Sequence, residues 1–397
     1  MTEVFTGSFT QQMPIPEEAI AAAVEVMRTG RLHRYNLAPG EAGAVGALEQ
    51  AFAKTTGAKF CLAVASGGQA LSISLRAAGV QTGDKVLTNA FTLAPVPGAI
   101  AAVGAQPVFI ETTENLTIDL DDLAAKLGQA KVLLLSHMRG HICDMDRLMA
   151  LCDAAGVTVI EDCAHTMGAA WRGTPSGRHG LAGCYSTQTY KHINSGEGGL
   201  ITSDDPELMA RATLLSGSYM LFERHVAGPA SDAYQDLTGE TPNMSARMDH
   251  LRAAILLPQL ERLEQERAAW NERYRVVEEA LVGHPEIRLI PRPQEESFVG
   301  SSFQFRLPNA SATEISDYIT RTAKRGVELK WFGAGMPHGF TSTYADWTYA
   351  DSPILADTNR ILAGLLDMRL PLTFSLEDCA LIARILHQEA AHLRAAA

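Results

Sequence analysis

The sequence has too few basic residues to suit a polyanionic partner. Against 45 Asp and Glu stand only 33 Lys and Arg, a formal charge of −12, whereas a nucleic-acid surface calls for clustered cations. It has no paired-cysteine spacing. Cys61, Cys143, Cys152, Cys163, Cys184 and Cys379 are scattered through apolar stretches with no C-x-x-C. That excludes a zinc ribbon or a disulfide framework and predicts buried free thiols in a reducing compartment. No apolar run reaches membrane-spanning length, so no membrane association is expected. Met1-Thr2-Glu3-Val4 offers neither a basic n-region nor an apolar h-region, so no signal peptide is expected either and the predicted location is cytoplasmic. Internal repeats and low-complexity tracts are also missing. What remains, 46% hydrophobic and 20% charged over 397 residues, is an ordinary globular chain able to bury a large core.

From residue 57 onward, short apolar runs alternate with helical patterns, the signature of a parallel sheet with crossover helices. Strands are predicted over 60–65, 85–88, 107–111, 132–136, 158–161, 183–187 and 199–202, with helices over 16–30, 41–56, 69–78, 94–103, 119–127, 144–155 and 206–215. Residues 31–41 and 220–243 read as loops. A helical pattern from 248 to about 281 is interrupted only by Pro258. It divides a large α/β domain, 1–255, from a smaller C-terminal α/β domain, 256–397. The second has strands at 287–290, 302–306 and 327–331, helices at 312–324, 355–366 and 375–394, and a frayed tail at 395–397. In a mainly parallel seven-stranded sheet, ligands bind beyond the carboxyl ends of the strands. Ser66, Asp162 and the segment carrying Lys191 fall at such ends.

Lys191 lies between an alternating run, 183–190, and the turn Gly196-Glu197-Gly198-Gly199. A lysine in that setting suits an amine that forms a Schiff base, since burial or a neighbouring cation keeps it unprotonated. Upstream, Val157-Thr158-Val159-Ile160 ends in Glu161-Asp162. An amine for an aldehyde and a carboxylate for a ring nitrogen together point to pyridoxal 5'-phosphate. Its phosphate would meet Ala65-Ser66-Gly67-Gly68-Gln69 at the start of a helix, where backbone N–H groups are unpaired.

The run Val159–Ala169 (VIEDCAHTMGA), followed by Tyr185-Ser186-x4-Lys191-x4-Gly196-Glu197-Gly198-Gly199, resembles the DegT/DnrJ/EryC1/StrS family of pyridoxal-phosphate-dependent sugar aminotransferases of fold type I. So do Ala65-Ser66-Gly67, His137-Met138-Arg139-Gly140-x3-Asp144-Met145 and Arg247-Met248-x3-Arg252. The resemblance implies that Lys191 is the Schiff-base lysine and proton carrier. It implies that Asp162 pairs with the ring nitrogen, that His165 lies near the phenolic oxygen and that Ser186 binds phosphate. It further implies a homodimer with active sites at the interface, and small-molecule amino donor and keto acceptor substrates. The chain departs from the family pattern at three places. Gly68 stands where threonine is usual, so one hydroxyl contact is either missing or replaced, with Gln69 as the candidate. Leu93 stands in place of a stacking aromatic, with Phe91 as the other candidate. Ser245 stands in place of the asparagine that reaches the partner's phosphate, with Asn243 as a substitute.

Arg34, Tyr35, Lys330, Trp331 and His338 are candidate substrate contacts, with local ion pairs or exposure as the plain alternative. Arg369, before Leu370-Pro371-Leu372, could hold a donor carboxylate, and Trp347 with Tyr349 reads as packing. The expected reaction is amino transfer from glutamate or glutamine to a keto-sugar or cyclitol. A dehydratase or lyase is the alternative: such relatives carry histidine at the lysine position, and here His192 only follows it. A non-catalytic regulator is the third reading, kept open by the three departures.

Overall fold

The computed structural model of the chain describes residues 3–393. The expected tail at 395–397 and the last residue of the 375–394 helix lie outside them. At the centre is a seven-stranded sheet: β1 (Phe60–Val64), β2 (Lys85–Asn89), β3 (Gln106–Ile110), β4 (Val132–Ser136), β5 (Thr158–Asp162), β6 (Ala182–Ser186) and β7 (Gly199–Ser203). Its order is β1-β7-β6-β5-β4-β2-β3. Strands β2 to β6 run parallel, and β7 is antiparallel to both β1 and β6. The continuous apolar runs arise because both faces are covered. Leu134, Ile160 and Ile201 enter one core, while Leu133, Leu135 and Val159 enter the core on the opposite face.

Register places the site. Ser136 pairs with Asp162, Asp162 with Cys184, and Ser186 with Gly199, which in turn faces Val64. Five strand ends therefore converge on one rim. From β1 the chain turns at Ser66 into α3 (Gly67–Ala77), after α1 (Glu17–Thr29) and α2 (Gly43–Thr56).

The long helix His250–Leu281 serves two cores. Ala253, Leu256, Leu260 and Leu263 pack with Phe52 of α2, whereas Tyr274, Val277 and Leu281 pack with Phe303, Phe305 and Ile382. That second core lies on a four-stranded antiparallel sheet in the order Arg288–Leu289, Ser302–Arg306, Leu365–Arg369, Lys330–Trp331. Phe5 and Phe9 join it, edge-on to Phe374 at 4.9 and 5.0 Å. The N-terminal segment thus packs with the C-terminal core, outside the simple division at 255.

The helix expected over 355–366 stops at Ala363, and Leu365–Arg369 is a strand held between two neighbours. Pairing on both sides outweighs the weak local preference of Leu-Leu-Asp-Met-Arg. The alternation expected over 183–190 ends as a strand at Ser186, so Lys191 sits on the turn beyond it. A three-stranded ribbon of Ala170–Trp171, Thr174–Pro175 and Glu296–Ser297 leaves no mark in the sequence pattern, its strands being too short for a period to register. All six cysteines are unpaired and buried. Among the described residues no helix is long and apolar enough to cross a membrane.

Candidate active site

A cavity of about 530 Å³ opens where the carboxyl ends of the strands meet. Ser66, Gly67, Gly68, Leu93, Asp162, His165, Ser186 and Lys191 all line it. Eight residues that the sequence marks as candidates are thus brought to one wall.

Lys191 Nζ lies 2.8 Å from His165 Nε2. The other ring nitrogen, Nδ1, accepts the backbone N–H of Arg139 at 3.3 Å. A neutral imidazole carries one proton, which that bond assigns to Nε2. Nε2–H therefore donates to Nζ, and Nζ can accept only as an uncharged amine. The electrostatics agree. Burial, then Arg139, Arg369 and Lys330, pull the Lys191 amine from 10.5 down to about 7, against the opposing charge of Asp162. Burial, then Lys191, Arg139, His192 and Lys330, hold His165 well below its ordinary value, so it stays neutral.

Asp162 is buried at the end of β5, and burial raises its carboxyl pKa despite the charge of Lys191. It is oriented from two sides. Oδ1 accepts the N–H of Ala164 at 3.1 Å and Oδ2 accepts Ser136 Oγ–H at 3.3 Å, while Ser136 Oγ accepts Thr92 Oγ1–H at 2.8 Å. In the sequence only its position at a strand end marks Ser136, and pattern reading passes over it. The neighbouring Glu161 is a structural hub. It accepts hydrogen bonds from the N–H groups of Gly177, His179 and Gly180 and pairs with His137 Nε2 at 3.0 Å. With its oxygens committed in this way, the cluster of His137, Glu161 and Cys163 reads as part of the interior.

The turn into α3 forms an anion cradle. Ser66 Oγ caps the helix by accepting the N–H of Gln69 at 3.2 Å, and the first intrahelical bond is Ala70 N–H to Ser66 O. The N–H groups of Gly67 and Gly68 precede it, so they are free for an anion. Glycine is required at 67 because a Cβ there would lie 2.8 Å from Ser186 Cβ, and at 199 because a Cβ would collide with the Ser66 carbonyl. The two positions let Ser186 and the Ser66 turn converge. A neutral amine, a buried carboxylate and an N-terminal anion cradle around one cavity fit pyridoxal phosphate.

Gln69 is not among the residues lining the cavity, and its backbone N–H is donated to Ser66 Oγ at 3.2 Å. Phe91 is core, edge-on to Phe332 at 5.1 Å, which leaves Leu93 as the apolar wall. Ser245 is exposed and outside the cavity of its own chain, with its N–H donated to Asn243 Oδ1 at 2.9 Å.

Arg34 and Tyr35 are not substrate contacts in this chain. Arg34 forms a buried two-bond pair with Glu49 at 3.0 and 3.1 Å, and Tyr35 Oη bonds His225 Nε2 at 2.7 Å. Trp331 Nε1–H donates to Ala363 O, and His338 is exposed. Trp347 is buried against Phe109, while Tyr349 is exposed. Lys330 and Arg369 stand near Lys191, which both bias electrostatically. Glu197 of the Gly196–Gly199 turn also lines the cavity, as do Gln188 and Phe340, which the sequence pattern does not single out.

The sequence profile of the DegT/DnrJ/EryC1/StrS aminotransferase family matches residues 15–386. L-glutamine:scyllo-inosose aminotransferase of Streptomyces griseus is 32% identical over 221 residues, 55% of this chain and 52% of that protein. GDP-perosamine synthase of Caulobacter vibrioides is 36% identical over 234 residues, 58% of each. The matched stretch thus spans only about half the length of these curated relatives. Among solved structures, the aminotransferase TlmJ from Streptoalloteichus hindustanus superposes with a TM-score of 0.81 at 24% identity, covering 99% of this chain and 100% of that one. That likeness carries the fold. With the fold, the cavity and the profile in agreement, the chain belongs to the DegT/DnrJ/EryC1/StrS aminotransferase family.

Proposed function

We propose that the chain is a pyridoxal-phosphate-dependent aminotransferase that moves the amino group of glutamate or glutamine to a ketone on a sugar nucleotide or cyclitol. The observation that carries this reading is the Lys191 amine, 2.8 Å from His165 Nε2 and brought down in pKa to about 7 chiefly by burial, in the same cavity as the buried Asp162. When bound, the cofactor supplies an aldehyde for amines to condense with and a ring that takes up the electrons of the bond being broken.

The remaining roles belong to the chain. Lys191 Nζ offers its lone pair for attachment and, once displaced by the donor, takes a proton from the donor carbon and returns it elsewhere. Asp162 holds the proton on the ring nitrogen. Ser66, Ser186 and the N–H groups of Gly67 and Gly68 bind the phosphate. His165 Nε2–H keeps an acceptor oxygen or amine oriented, and Leu93 excludes water from one side.

The acceptor class is supported by the relatives named above, one acting on a cyclitol ketone and one named for a nucleotide-linked amino sugar. A homodimer, with Ser245 of one protomer reaching the partner's site, is the arrangement that membership of the family implies. Unpaired buried thiols support a cytoplasmic location. The dehydratase reading loses its footing because His192 bonds Ser301 Oγ at 3.1 Å and packs on Trp270, away from the large cavity.

The test is transfer of label from amino-¹⁵N glutamine or glutamate to scyllo-inosose or a keto-sugar nucleotide. The reading expects label in the amine product. Cofactor-loaded protein that transfers none from either donor to any ketone would sink it.

A further inference from the structure

Arg292 is a buried cation that the chemistry described so far does not use. It lies between the strands Arg288–Leu289 and Glu296–Ser297, its guanidinium 4.8 Å from the Phe298 ring and 5.5 Å from the Tyr274 ring. Its Nη1–H donates to Gly140 O at 2.6 Å and to Glu296 Oε1 at 3.0 Å. The same Glu296 oxygen accepts the N–H of Ile142 at 3.2 Å. Glu296 is held in turn by its register pairing with Trp171. Two buried side chains from one short loop thus tie down the backbone of residues 140–142.

That backbone belongs to the elbow that holds His165. Arg139 (φ 55°) and Gly140 (φ 78°) are both left-handed, and for the arginine that conformation costs energy that its surroundings must offset. The contact with His165 is close, since a Cβ at Gly140 would lie 3.0 Å from His165 O. From the elbow the Arg139 N–H donates to His165 Nδ1, and the opposite ring nitrogen, Nε2, meets Lys191 Nζ at 2.8 Å. A neutral imidazole carries its proton on one nitrogen only. With Nδ1 engaged as an acceptor, Nε2–H is a donor and favours an uncharged amine. If the elbow loosens, the proton can move to Nδ1, and Nε2 becomes an acceptor that favours a charged one.

We propose that Arg292 is a positioning residue for amino transfer: by holding the Gly140 carbonyl it fixes the elbow, and through the elbow it keeps the His165 proton on Nε2. The proposal rests on the amino-transfer reading for the use made of the amine. The Lys191 amine is faced by His165, Asp162, Arg139, Arg369 and Lys330. Arg292 is faced by Glu296, Tyr274 and Glu278. It therefore acts on Lys191 through backbone and ring, not through its own charge. Pairing with Glu296 alone would satisfy a structural cation, yet the shorter bond goes to the Gly140 carbonyl.

The test is ¹⁵N NMR of ring-labelled histidine in the cofactor-free chain, with His165 assigned by its loss in His165→Gln, together with amine labelling of Lys191 across pH. The wild type is expected to carry the His165 proton on Nε2 alone. Arg292→Met combined with Glu296→Gln removes the tie and strands no buried charge. The glutamine Oε1 can still accept the Ile142 N–H. In that protein the His165 proton is expected on both nitrogens. The Lys191 labelling midpoint should rise by about half a pH unit, so that labelling at pH 6 falls about threefold. Arg292→Lys keeps the cation and a donor, and is expected to retain both wild-type signals. Gly140→Ala strains the elbow directly, should move both readouts the same way, and decides the matter if the double variant does not fold. A His165 proton on Nδ1 in the wild type would overturn the proposal, as would wild-type ring signals and labelling in the folded double variant or in folded Gly140→Ala. Absence of ¹⁵N transfer in the cofactor-loaded wild type counts against the amino-transfer reading and leaves both readouts to decide the role of Arg292.

Discussion

Amine labelling across a pH range tests how far burial has changed Lys191. With a pKa of about 7, set by burial and three cations against Asp162, roughly half of the Lys191 amines are uncharged at pH 7 and about nine in ten at pH 8. An ordinary lysine near 10.4 is uncharged in about four molecules per thousand at pH 8, so the reactive fraction differs by roughly two hundredfold. The assay is a brief pulse of acetic anhydride on the cofactor-free chain from pH 5.5 to 9.5, followed by mass spectrometry of the peptide bearing Lys191. The exposed Lys54 and Lys85 in the same sample correct for reagent decay. The sign follows from the direction of the shift. A lowered pKa means that labelling climbs about tenfold per unit below pH 7 and flattens above it. Labelling of Lys191 that keeps climbing tenfold per unit through pH 9 would refute the reasoning, because the amine would then be charged in the folded chain.

Asp162→Asn should bind cofactor yet lose on the order of a hundredfold or more in amino transfer, since an amide cannot hold the ring proton; single-turnover kinetics with glutamine check this. Gly199→Ala should weaken cofactor affinity in equilibrium dialysis with the circular dichroism unchanged, because the new Cβ meets the Ser66 carbonyl. Glu49→Gln should cost about 3–5 kcal/mol in denaturant titration, since it strands the buried Arg34 without its counter-charge.

The sheet was legible because its strands are buried on both faces and so appear as apolar runs of the right length, as at Val132–Ser136. The Lys191, Asp162 and Ser66 constellation was legible for a related reason: each sits at or beyond a strand end, Ser66 and Lys191 with turn glycines following and Asp162 at the close of an apolar run. Leu365–Arg369 was not, since a strand held by neighbours on both sides needs no strong local preference, and with it went the place of Arg369 on a strand end facing Lys191. Arg34 misled because an arginine in a loop reads the same whether it meets a ligand or an interior glutamate fifteen residues away. Ser136 could not be found by pattern, since its role comes from register; Arg139 stands in the His137–Met145 motif, but its place against His165 comes from a left-handed turn.

The central claim is that Lys191 carries the cofactor. Its most direct test is the visible absorbance of the purified chain with pyridoxal phosphate, compared between wild type and Lys191→Ala, before and after glutamine or glutamate. The account predicts a yellow band in the wild type that either donor bleaches and that Lys191→Ala lacks. No band in the wild type with cofactor added, or the same band in both proteins, would contradict it.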